Sequence, residues 1–149
     1  GIISGAPSGS PGNSGKPVLT VPQFGLQMTF SGQLGTITYS IDSSQNGSKQ
    51  DQSGTPFTVE GSIELATGGY AAMACAADSP IEATITVFTT SASSLNLNGP
   101  TAWVRAGGHL LGFTAGSSTC ALGEQKSEIP LLQQMMETAT SQGSGVAAG

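Results

Sequence analysis

Apolar residues recur at every second position over most of the chain, and that period limits the fold more than any other feature. Phe24, Leu26, Met28 and Phe30 alternate with Gly25, Gln27 and Thr29, and Ile37, Tyr39 and Ile41 with Thr36, Thr38 and Ser40. Phe57, Val59, Ile63 and Leu65 alternate with Thr58, Glu60, Ser62 and Glu64, Gly61 filling the one core-facing gap. Ile81, Ala83, Ile85 and Val87 alternate with Glu82, Thr84 and Thr86. Successive side chains of a strand point to opposite faces, so each run predicts a strand with an apolar inner side and a hydroxyl-rich outer side.

Weaker strand signals lie over Pro17–Val21, Tyr70–Ala76, Ser94–Leu97, Thr101–Arg105, His109–Thr114 and Thr119–Leu122. Asn46-Gly47, Gly68-Gly69, Asn98-Gly99-Pro100 and Gly107-Gly108 punctuate the runs with turn residues. About eight to ten short strands at such spacing predict an all-β domain, an antiparallel sandwich of jelly-roll type. One α-helix is expected, over 128–139: Ser127 caps it, and Glu128 and Pro130 sit in its first turn. Ile129, Leu132 and Met136, flanked by Leu131 and Met135, give it an apolar stripe that closes one end of the sheet core.

The folded domain is therefore expected over 17–140. Residues 1–16 are dominated by Gly, Ser and Pro and read as a flexible arm, and 141–149 as a tail. The 149 residues include 22 Gly, 20 Ser and 16 Thr, but only four cations and nine carboxylates, for a net charge of −5. Four scattered cations cannot build a phosphate-tracking surface, so nucleic-acid binding is excluded as an expectation. The longest apolar run, Tyr70–Ala77, is far short of the roughly 20 residues of a membrane-spanning helix.

Little in the chain suggests chemistry. His109 is the single histidine, follows the Gly107-Gly108 turn, and reads as a solvated residue starting a strand. No Gly-x-Ser-x-Gly elbow is present. Carboxylates near one another in sequence pair as Glu60 with Glu64, Asp42 with Asp51, and Glu124 with Glu128. Glu60 and Glu64 are expected on one open, outward face, with no sign of the desolvation a glycosidase acid requires. Asp42–Ser48 begins like a calcium loop, yet Ser53 stands where a bidentate Glu is needed, so a polar hairpin loop turning at Asn46-Gly47 is the better reading. No catalytic residue, metal ligand or cofactor is assigned, and the chain reads as no enzyme.

Cys75 and Cys120 are an even pair in strand-like segments, which fits a disulfide and an exported protein. A Ser/Thr-rich, charge-poor surface and a first residue, Gly1, other than Met fit the same extracellular or cell-surface location. Asn46-Gly47-Ser48 is also a glycosylation sequon. Two functions remain. The first is a structural subunit of an extracellular assembly, a filament, pilus or virion surface. There an arm followed by Val18, Val21 and Phe24 adds a strand to a neighbouring copy. The alternative is a carbohydrate- or cell-surface-binding module attached through its Gly/Ser/Pro linker, with Trp103 and Tyr70 as the ligand platform.

Overall fold

In the computed structural model the backbone is described for residues 4–5, 8–11, 17–72, 81–116 and 122–141, and side chains for 17–72, 81–116 and 127–141. The chain is an antiparallel β-sandwich. Its strands are β1 (Ser4–Gly5), β2 (Ser8–Pro11), β3 (Pro17–Val21), β4 (Leu26–Thr29), β5 (Ile37–Asp42), β6 (Gly47–Gln50) and β7 (Pro56–Thr67). A helical turn, α1 (Gly68–Ala71), follows β7, and then come β8 (Ala83–Thr89), β9 (Ala102–Ala106), β10 (His109–Ala115), helix α2 (Leu122–Glu137) and β11 (Thr140–Ser141).

The larger sheet runs β1-β5-β7-β8-β10-β9, and β6 lies end to end with β5 along the same edge of β7. The smaller sheet runs β11-β4-β3-β2. Ile37, Tyr39, Ile41, Ile63, Leu65, Ile85, Val87, Leu111 and Phe113 project from the larger sheet into one core. Leu19, Val21, Leu26 and Met28 of the smaller sheet and Leu132, Met135 and Met136 of α2 close it. The alternation expected for these strands and the helix stripe therefore both meet in this core.

A second, smaller cluster occupies the opposite face: Phe57, Val59, Phe88, Leu95 and Leu110, with Trp103, Leu97 and Ala92 at its margin. Phe57 and Val59 reach that face through a β-bulge. Val59 pairs with Phe88 but Gly61 with Val87, so one extra residue, Glu60, enters β7 and reverses the alternation. The unbroken run from Phe57 to Leu65 is corrected accordingly, as is the pairing of Glu60 with Glu64 on one face. Glu60 accepts a 2.6 Å hydrogen bond from Thr89, on the Val87 side, whereas Glu64 accepts one of 3.4 Å from Ser40, beside Thr84.

Residues 90–100 carry no strand and drape over the second cluster, so Ser94–Leu97 is loop. Leu95 is buried there because the loop is held on either side of it, by Arg105 at Thr90 and Ala92 and by Asp51 at Asn96. The hairpin of this region turns at Asp51–Thr55, joining β6 to β7; Asn46-Gly47 instead links the collinear β5 and β6. The segment expected as a strand from Tyr70 begins as α1, because the Thr67 hydroxyl caps the Tyr70 N–H at 3.1 Å.

Helix α2 begins at Leu122, six residues before the expected start, and Pro130 lies in its interior. Leu, Glu, Gln and Lys in the added turn are good helix formers. An internal proline removes one backbone donor and costs about 3 kcal/mol. Burial of Leu132, Met135 and Met136, about 1.5–3 kcal/mol each, offsets that cost.

Ser4 and Gly5 pair with Ser40 and Tyr39 of β5, and β2 pairs with β3. Val18 and Val21 are body rather than arm: they sit in β3 against β4, and Val21 is wholly buried. Phe24 lies in a 3-10 turn, Pro22–Phe24, with its ring over Gly61. Cys75 and Cys120, the Thr119–Ala121 part of a predicted strand, and 142–149 of the tail lie outside the described residues.

Candidate functional site

The most unusual chemistry is at the end of the larger sheet where β7, α1, β8 and α2 meet. Glu82 precedes β8, where strand alternation no longer governs its direction, and it is 0% exposed. Glu128, near the middle of α2, is 9% exposed, and Thr67, at the end of β7, is 0% exposed. Thr67 joins the two acids: its N–H donates to Glu82 Oε1 at 3.1 Å and its hydroxyl to Glu128 Oε1 at 2.6 Å. Backbone bonds fix Glu82 in place, its N–H donating to the Leu65 carbonyl at 2.8 Å and its carbonyl accepting from Gly116 at 2.8 Å. Glu82 Oε2 is buried and has no hydrogen-bond partner among the described residues.

Burial first, and then the hydrogen bonding and charge of the neighbouring Glu128 carboxyl, push Glu82 up to about 8. The two carboxyls meet on Thr67 in a dry site, which favours the protonated form of Glu82 at neutral pH. Proximity in sequence does not reveal the pair, because 46 positions separate its members. Glu82 also read as an outward strand residue.

Trp103 is half-buried on β9 and faces Gly112 of β10, where a Cβ would come within 2.9 Å of the indole. Its ring centroid lies 5.7 Å from that of Phe88. The register continues the row outward through Thr86 and Ser62 to Asp42, on the hydroxyl-rich outer face. Tyr70, the other expected platform residue, is wholly buried and cannot present its ring to a ligand.

Asp51, also nearly buried, organises the cover of that face. Its carboxylate accepts from the Asn96 N–H at 2.7 Å, Ser53 at 2.8 Å and Thr55 at 2.9 Å. These backbone donors hold its carboxyl below the usual range. Asp42 is held low in the same way, by the Ser44 N–H and hydroxyl, as a local turn. Burial, helped by the charge of Asp42, raises Glu64. His109 starts β10 as expected, but it is half-buried rather than solvated, edge-on to Phe24 at 6.2 Å. Its Nδ1 is buried without a partner among the described residues. Among those residues no group of three His, Cys, Asp or Glu gathers around a common point, and no helix is long and apolar enough to cross a membrane.

No protein-family model, no curated protein and no solved structure matches the chain.

Proposed function

We propose that the chain is a non-enzymatic structural subunit of an extracellular assembly, in which the N-terminal segment of one copy adds a strand to the sheets of the next. The observation that supports this reading is the pairing of β1 and β2. One short N-terminal segment supplies an edge strand to each sheet, β1 to β5 and β2 to β3. Backbone hydrogen bonds made at an edge do not depend on which copy supplies the strand.

Both strands are short, and β1 covers only Ser40 and Tyr39 of the six-residue β5. Among the described residues, the remainder of that edge pairs with no strand and could take a longer one. Residues 12–16, Gly-Asn-Ser-Gly-Lys, have the composition of a linker. A charge-poor surface rich in Ser and Thr suits close packing of copies, and a Cys75–Cys120 disulfide would suit an oxidising location. The test is the size of the purified chain in solution, with and without residues 1–16. The intact chain should form multimers. The shortened chain should be a monomer that binds a labelled 1–16 peptide. A strict monomer in both forms would reject the reading.

A second reading, a carbohydrate- or surface-binding module, is favoured by one observation. Trp103 is only half-buried on the face that carries the row of Thr86, Ser62 and Asp42, an apolar residue near hydroxyl and carboxylate partners.

A further inference from the structure

We propose that the part of α2 around Glu128 is fastened to the larger sheet through Thr67, which binds the buried carboxyls of Glu82 and Glu128, and that loss of the proton on Glu82 releases that part while the sheets stay folded. The geometry concentrates the fastening at one place. Glu128 is bound to Thr67 of β7, and Thr67 to Glu82 ahead of β8, so one hydroxyl ties helix to sheet. Glu82 Oε2 has no donor to neutralise it among the described residues. Ionised, it is a buried charge facing a second carboxylate; protonated, it is neutral.

The C-terminal end of α2 is held independently. Thr138 Oγ1 accepts from the Thr29 N–H at 2.9 Å and donates to the Met135 carbonyl at 2.7 Å, and β11 then pairs with β4. Pro130 lies between the two fixings and donates no backbone hydrogen bond, so the helix ladder lacks one rung there.

The surroundings offer the pair no cation among the described side chains. α2 brings Glu128 and Glu137, α1 brings Tyr70, and β7 brings Glu60 and Glu64, which bond to Thr89 and Ser40. β8 and β4 bring no charged side chain. Arg105 of β9 is engaged by the Thr90 and Ala92 carbonyls, and His109 lies at the far end of β10 against Phe24. Burial and Glu128 together hold the proton on Glu82 through neutral pH, to about 8.

The test is hydrogen exchange of the full chain at about pH 6 and about pH 9, corrected for intrinsic rates. The proposal expects residues 127–133 to lose about tenfold of their protection at the higher pH, with 134–139 and β8 unchanged. In Glu82→Gln, whose amide keeps an acceptor for Thr67 and is neutral at every pH, the loss should vanish. Glu128→Gln serves if that variant does not fold. Carboxyl ¹³C titration of the wild-type chain should show one glutamate titrating well above the ordinary range. The proposal is overturned if every glutamate titrates in that range, if the glutamine variants lose protection as the wild type does, or if β8 opens together with the helix.

Discussion

Val59 and Ile63, four residues apart on one strand, face opposite sides of the larger sheet. The bulge at Glu60-Gly61 separates them, and Asn46 Nδ2 donates to the Glu60 carbonyl at 2.9 Å, satisfying a group the ladder leaves free. Gly61 is suited to this place because its φ is +154° and because the Phe24 ring covers it. A Cβ there would stand 2.7 Å from Phe24 Cζ. Gly61→Ala should therefore destabilise the fold by about 1–2 kcal/mol, read as a lower urea midpoint. The ring lies at the end of a side chain that can swing aside, so Phe24→Ala in the same chain should recover the clash but not the backbone strain. An additive double variant would show that the ring does not cover Gly61.

Asp51 carries the opposite pH signature to Glu82. Its carboxyl is held low by the Asn96, Thr55 and Ser53 N–H groups, so its ionised form is the bound one. Such a group contributes stability that is complete above the unfolded-state value and is lost as pH falls through the folded-state value. Asp51→Ala should lower Tm at neutral pH and deprotect the 90–100 loop in hydrogen exchange. The difference from wild type should shrink below about pH 4. A difference that stays constant into acid would mean the carboxylate charge plays no part.

For Glu82 the sign reverses. Its folded-state value, about 8, lies above the ordinary 4.5, so the native protein binds the extra proton between those limits. Stability is greatest below the unfolded-state value and declines as pH rises through the folded-state value. A tenfold change in proton affinity is worth about 1.4 kcal/mol, so keeping Glu82 buried costs on the order of 3 kcal/mol at neutral pH. Glu82→Gln should remove most of that slope and be more stable than wild type by about 1–3 kcal/mol near pH 8, measured by urea unfolding. A slope equal to that of wild type would place the titration elsewhere.

Much of the sandwich is legible in the sequence because strand alternation is a local signal. Ile37, Tyr39, Ile41, Ile63, Leu65, Ile85 and Val87 all reach the core that their period assigns them. What the period misses is wherever non-local contacts decide. The bulge hides inside a perfect alternation, since Gly61 has no side chain to reveal that the face has changed. The cover loop reads as a strand because Leu95 and Leu97 alternate, yet Asp51 and Arg105, from distant elements, hold it as loop. Glu82 reads as solvated because only the folded chain brings Thr67 and Glu128 to it. Tyr70 has the amphipathic chemistry of a platform residue, and the capped turn behind Thr67 buries it instead.

Trp103 separates the two functional readings by a single pair of measurements. Its indole covers Gly112 and leans on Phe88, so Trp103→Ala removes packing from the second cluster and opens its margin. The ring is half-buried, so the loss should fall below the 3–5 kcal/mol of a fully buried Trp, at about 2 kcal/mol. Trp103→Phe restores an aromatic face over the glycine and should recover most of that stability. If the outer row of Thr86, Ser62 and Asp42 binds sugars beside this ring, retention on a glycan array should fall in both variants, because a phenyl ring offers a smaller stacking surface and no N–H. Glycan retention that tracks stability alone, or that no form of the protein shows, would leave packing as the whole task of the indole and favour strand exchange between copies.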